Sequence, residues 1–218
     1  MSNPSLQSHL RHPLTRLLGN SGNIRVLRAL LAYGAPLSTV QVARDAGLTR
    51  QGATLVLSNL VSQGVVTVFG PARSQLFSIT PAHPFAAALQ TIFEQEQKHW
   101  DDLQHALHDV LQAIPDVRSA WLYGSVARAQ DEPHSDIDVA VVIDGPGTDI
   151  AAKVREALQI VEDRMLVRFS VVALTPAEVA RLTPEDAWWA EMARDAKVIK
   201  GAGPMQEALV CSRAKQPA

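Results

Sequence analysis

Residues 122–142 read LYGSVARAQDEPHSDIDVAVV, and this stretch decides how the C-terminal half is read. Ser119 to Tyr123 is a β-rich run that ends in Gly124-Ser125, after which Val126 to Ala129 begins a short helix. A small residue pair at a strand-to-helix turn lets backbone N–H groups come close to an anion. Arg128, one turn on, can add a positive charge to the same phosphate. After a gap rich in polar residues comes a second strand, Asp136 to Ile143. Strand residues i and i+2 share a face, so Asp136 and Asp138 project together while Ile137 turns into the core. Two neighbouring carboxylates repel unless a cation sits between them, and hard oxygen ligands suit Mg²⁺ or Mn²⁺. A phosphate-cradling turn beside a carboxylate pair is equipment for phosphoryl transfer.

Asp-x-Asp alone is common by chance, but the whole string is more specific. It resembles the nucleotidyltransferase superfamily of DNA polymerase beta: an apolar residue, Gly-Ser, a gap of about ten, then Asp-apolar-Asp-apolar, met here from Tyr123 to Val139. The resemblance is to the small, minimal branch, and spans about residues 117–200 with a closing AKVIKGAG. It implies that Gly124 and Ser125 hold nucleoside triphosphate phosphates and that Asp136 and Asp138 are the catalytic metal ligands. One departure stands out. The family's third carboxylate belongs on a later strand, and Leu166–Leu174 contains no acid. The matching position is Ser170 or Arg168, and a serine neither completes a metal shell nor accepts a proton well at neutral pH. Glu162, Asp163 and Asp144 are the candidate substitutes. Ala129 stands where relatives often carry glycine, a mild change if the backbone there is helical. Ser125 lacks the Gly-x-Ser-x-Gly elbow of a hydrolase nucleophile.

The 218 residues carry a net charge of -2, which conceals an uneven distribution. Residues 1–80 hold seven arginines (Arg11, Arg16, Arg25, Arg28, Arg44, Arg50 and Arg73) against Asp45 alone, a balance of +6, and the remainder is -8. Opposed halves imply two domains, the basic one preferring polyanions. Within that half, Ile24, Val26, Leu27, Leu30 and Leu31 are spaced for a helix that Gly34-Ala35-Pro36 breaks. Ser38 caps a second helix, 39–46, with Val40 and Ala43 facing inward. Gly47 ends it, and Thr49 caps a third helix, 50–62, with Ala53, Leu55, Val56, Leu57 and Leu60 on or near its buried side. Two helices around a tight glycine turn make a helix-turn-helix. The β-rich runs Val65–Phe69 and Ser74–Ile79 flank Gly70-Pro71, a hairpin that forms a wing with Arg73 at its tip.

In that geometry the third helix begins in the major groove, so Thr49, Arg50, Gln51 and Thr54 are the candidate DNA-contacting residues and Arg73 reaches a phosphate or the minor groove. The competing reading is a solvated polar face on a docking module. LSTVQVARDAGLTRQGATLVLSNLVSQGVV (37–66) and LFSITPAHP (76–84) resemble winged-helix regulators of the MarR/ArsR kind over about residues 20–84. That resemblance implies a homodimer on double-stranded DNA.

Residues 84–114 carry apolar positions at steps of three and four: Phe85, Leu89, Ile92 and Phe93, then Trp100, Leu103, Leu107, Val110, Leu111 and Ile114. They predict a long amphipathic connecting helix. His105 and His108 on it are read as solvated, without the third ligand a metal site requires. Trp188-Trp189 is read as core or interface, and 205–218 as a frayed tail. The expected fold class is α+β: a winged helix-turn-helix at 1–83, the connecting helix at 84–114, a mixed sheet with flanking helices at 115–204, and the tail. The single cysteine, Cys211, excludes a disulfide framework within one chain. No segment reads as a membrane span or a secretory signal, so a cytoplasmic protein is expected.

Three functions follow. The first is transfer of a nucleoside monophosphate from an NTP to a hydroxyl with Mg²⁺, on a protein that also binds DNA. The second is a transcription regulator whose nucleotidyltransferase fold only senses nucleotide, for which the acid-free strand argues. The third is an antitoxin-like partner, since the minimal branch resembles proteins paired with toxins.

Overall fold

The computed structural model describes residues 14–144 and 147–213. Residues 1–13 of the expected first domain, Arg11 among them, lie outside the described residues, as do 214–218 of the expected tail. The chain forms two compact units, Met1–Lys98 and His99–Ala218.

The first unit contains α1 (Leu14–Leu18), α2 (Ser21–Tyr33), β1 (Leu37–Ser38), α3 (Thr39–Asp45), α4 (Arg50–Ser62), β2 (Val66–Phe69) and β3 (Leu76–Ile79), followed by the start of α5 (Ala86–Gln112). Local chemistry sets these bounds. Asn20 caps α2 by accepting from the Gly22 amide, and Gly34 ends it at φ 68°, a left-handed value that costs glycine little. Ser38 and Gln41 form a reciprocal capping box on α3. Thr49 caps α4. Strands β2 and β3 pair antiparallel, Val66 with Ile79 through Phe69 with Leu76, and β1 joins the other side of β3. This is a winged helix: three helices around a core of Val26, Leu27, Leu30, Leu37, Val42, Ala53, Leu57, Leu60 and Phe77, closed by a small sheet. Three positions expected to be buried are not. Val40 is 58% exposed, Leu55 73% and Ile92 55%. On α3 it is Val42, with Ala43, that fills the interior.

The second unit holds the rest of α5, β4 (Val117–Tyr123), α6 (Gly124–Ala127), β5 (Ile137–Ile143), α7 (Gly147–Met165), β6 (Phe169–Leu174), α8 (Pro176–Val179), α9 (Ala187–Asp195), β7 (Lys197–Lys200) and α10 (Pro204–Arg213). The sheet order is β6-β5-β4-β7. Strand β5 is antiparallel to β4 and parallel to β6, with α7 as the crossover that a parallel pair requires. Both faces of β5 are covered. Ile137, Val139, Val141 and Ile143 face a core shared with Leu103, Leu107 and Leu111 of α5 and with Ile150, Val154 and Leu158 of α7. Ala140 and Val142 face a second core with Trp121, Val179, Trp189, Met192 and Cys211. Double coverage explains why β5 reads as an unbroken apolar run from Val139 on.

The sequence reading of a frayed tail from 205 is corrected here. Residues 204–213 form α10, which buries Glu207 and Cys211. Glu207 accepts from Ser119 Oγ at 2.7 Å and pairs with Arg118 Nε at 2.6 Å, a satisfied buried carboxylate that seats the helix. Lys200 Nζ donates to the carbonyls of Leu111 at 2.9 Å and Ile114 at 2.8 Å, occupying acceptors that the end of α5 leaves open.

Candidate functional site

Strand β4 runs straight into Gly124, whose φ of 75° turns the chain sharply into α6. In the sheet register Tyr123 lies opposite Asp138, and on the other side Asp138 lies opposite Ser170. Tyr123, Asp138 and Ser170 thus form a row across three strands. The turn and the carboxylate are packed together: a Cβ on Gly124 would overlap Asp138 Oδ2 and sit 3.0 Å from its Cγ. Glycine is required here both for its φ and for the space.

Asp136 is exposed and directly precedes β5, whose first residue, Ile137, is buried. Its negative charge reaches Asp138. Burial lifts the Asp138 carboxyl above its usual range, a hydrogen bond from the Ser170 side chain opposes that rise, the Asp136 charge adds to it, and Arg128 draws it down. Burial also pushes the Tyr123 phenol up. Trp188 stands edge-on to Tyr123 with ring centroids 5.8 Å apart, while Trp189 packs on Trp121 in the core. Arg128 lies at the end of α6, where Nε donates to Gln130 Oε1 at 3.2 Å and Nη1 lies 3.8 Å from Asp195 Oδ2. The Asp195 contact joins α6 to α9, and no sequence spacing announces it.

The row across the sheet picks Ser170, not Arg168, as the residue beside Asp138. Arg168 precedes β6 and its carbonyl accepts from the Ile137 amide at 2.8 Å. None of the three substitute acids takes Ser170's place in that row. Glu162 accepts from the Phe169 amide at 2.6 Å, and lines a cavity of about 740 Å³ with Asp136, Asp163 and Arg168. Asp144 follows the far end of β5, where Arg118 Nη1 lies 3.9 Å away. Six residues of strand put it roughly 20 Å from Asp138. Ala129 has φ 53°, so its backbone is left-handed and alanine there is strained; the expectation of a mild change required a right-handed helix. His134 and Leu166, at φ 81° and 56°, share a cavity wall with Asp136. Backbone strain collects around this end of the sheet.

On the winged helix, Thr49, Arg50, Gln51 and Thr54 are all exposed at the start of α4. Thr49 Oγ1 accepts from the Gly52 amide at 3.1 Å, and Thr54 Oγ1 donates to the Arg50 carbonyl at 2.9 Å, so both threonines are held by the helix itself. Arg73 is exposed in the turn between β2 and β3. His105 and His108 are exposed on α5, and among the described residues no three His, Cys, Asp or Glu side chains cluster. No helix among the described residues is long and apolar enough to cross a membrane.

Residues 105–182 match the family model described as Polymerase beta, Nucleotidyltransferase. Over those residues the second unit is similar to nucleotidyltransferases of the polymerase beta family, and the first unit has a winged-helix fold. No curated protein matches the chain by sequence. Several solved structures are similar in part. A toxin–antitoxin structure with AMP-PNP is 16% identical over 51% of this chain and 85% of its own, with a TM-score of 0.38. A predicted DNA-binding transcriptional regulator from E. coli is 17% identical over 45% and 97%, TM-score 0.34. The adhesin competence repressor AdcR from Streptococcus pyogenes is 16% identical over 46% and 82%, TM-score 0.32.

Proposed function

We propose that the protein binds duplex DNA through its winged helix and transfers a nucleoside monophosphate from an NTP to a hydroxyl at the Gly124–Asp138 site. The observation that carries the catalytic reading is the packing of the Gly124 turn against the Asp138 carboxylate. Such packing sets backbone N–H groups for the phosphates beside an acid for a divalent cation. Tyr123 gives α6 no side-chain cap, which leaves its leading amides for a phosphate. Asp136 and Asp138 offer oxygen donors that suit Mg²⁺ or Mn²⁺, and Mg²⁺ is commonly held by one or two carboxylates with substrate phosphates and water completing its shell. The cation would neutralise the triphosphate and favour ionisation of the attacking hydroxyl. The acceptor oxygen bonds to the α-phosphorus as the α–β bridge breaks, and pyrophosphate leaves. Ser170 is no base, so the hydroxyl proton passes to solvent. Arg128, positioned by Gln130 and Asp195, balances phosphate charge. The test is incubation with each α-labelled NTP, Mg²⁺ and candidate acceptors. Labelled product from the wild type and none from Asp138→Ala supports transfer. Nucleotide binding without transfer to any acceptor overturns it.

One observation favours a second reading. Ser170 lies opposite Asp138 in the sheet register, where an acid would be needed as a base for turnover, and this favours a site that binds nucleotide without turning it over. A nucleotide that preferred one conformation would then bias DNA affinity by its differential binding energy. Nucleotide-dependent DNA binding without labelled product is the result that selects this reading.

A further inference from the structure

Leu55 is the exception on its helix face. The buried side of α4 is made by Ala53, Leu57 and Leu60. Leu55 is two residues from both Ala53 and Leu57, about 200° around the helix from each, and so points directly away from the core. It is 73% exposed, the largest exposure of any large apolar side chain among the described residues of the first unit. Its neighbours at three- and four-residue spacing, Gln51 and Ser58, are exposed and polar, as is the adjacent Thr54. The side chain therefore stands in the polar strip that begins with Gln51, about 6 Å further along the axis. The unit as a whole suits a polyanion. Arg25, Arg44, Arg50 and Arg73 are all exposed, and residues 1–80 are net +6.

We infer that Leu55 is a specificity residue that packs on the C5-methyl of a thymine in the major groove. The inference rests on the reading of the winged helix as a DNA binder. It adds a residue and a chemical target to that reading: a methyl group, not a hydrogen-bonding base edge. In the major groove the thymine methyl is the one apolar feature that separates base pairs. A leucine aimed at a groove floor of donors and acceptors would lose hydration for nothing. Against a methyl it buries apolar surface on both partners. Gln51, one turn earlier on the same strip, and Arg50 at the start of the helix are residue types that make bidentate contacts to bases.

The experiment uses the full chain and a duplex that it selects from a random-sequence pool. Each thymine of that duplex is replaced in turn by deoxyuridine, which removes the methyl and keeps every hydrogen bond. Wild-type protein should bind about fourfold more weakly at one thymine per half-site, the worth of one buried methyl. Leu55→Ala should bind the parent duplex more weakly and be indifferent to deoxyuridine at that position. Leu55 is outside the core, so this variant should melt with the wild type, which separates a binding effect from a folding one. Deoxyuridine effects that are absent, or equal in the two proteins, overturn the assignment while leaving DNA binding intact. Failure to select any duplex overturns DNA binding itself, and Leu55 with it.

Discussion

Replacing Gly124 by alanine would put the contact between turn and carboxylate to the test. The native φ of 75° costs an L-residue about 1–2 kcal/mol. The new Cβ also overlaps Asp138 Oδ2, so the carboxylate must rotate away from the turn. The expected loss of stability is about 1–3 kcal/mol in urea unfolding. The expected loss of affinity for a fluorescent nonhydrolysable ATP analogue with Mg²⁺ is at least about tenfold, or 1.4 kcal/mol. Gly201→Ala is the control. Its φ is 69°, and a Cβ there would strike the Arg118 carbonyl and lie 2.5 Å from Ser119 Oγ, so it should cost comparable stability. It does not touch Asp138, and folded Gly201→Ala should bind the analogue as the wild type does. Wild-type affinity in Gly124→Ala, or an equal loss in Gly201→Ala, would refute the claim that this turn and this carboxylate work as one site.

Other outcomes follow from the same structure. Asp138→Asn should stabilise the protein at pH 7: the folded carboxyl sits above its ordinary 3.8, so the acid's stability is whole below that value and is lost as pH rises through the folded one. Melting curves from pH 3.5 to 7 should show the gap between variant and wild type opening as pH rises; a gap that closes instead would contradict the sign. Glu207→Ala should cost about 2–4 kcal/mol in denaturant unfolding, because Arg118 and the buried Ser119 hydroxyl lose their partner; a neutral result would mean that α10 contributes nothing to the fold. Arg50→Ala should weaken specific DNA binding by about 1–3 kcal/mol, and an unchanged footprint removes it from the readers.

Much of this architecture can be read from short-range pattern. The apolar run of β5, the capping serine and threonine of α3 and α4, and the glycine turns all act within a few residues. Where pattern misled, a longer-range cause is visible. Leu55 sits among Ala53, Val56 and Leu57, and only the angle around the helix separates it from them. Helix α10 hides because its inward positions are Glu207 and Cys211, while the apolar Met205 and Leu209 are exposed. Its partner, Arg118, is far away in sequence. Period-two reasoning puts Arg168 and Ser170 on one face of β6, but choosing between them needs the register with β5, which a parallel crossover sets. The left-handed turn at Ala129 is likewise a property of the loop that joins α6 to β5.

The most direct measurement is a crystal structure with a nonhydrolysable NTP and Mn²⁺. The account predicts anomalous density bound to Asp136 and Asp138, with phosphate oxygens on the amides of Gly124 and Ser125. Manganese and phosphates bound elsewhere, with the Asp138 carboxylate still resting on the glycine turn and hydrogen-bonded to Ser170, would contradict it.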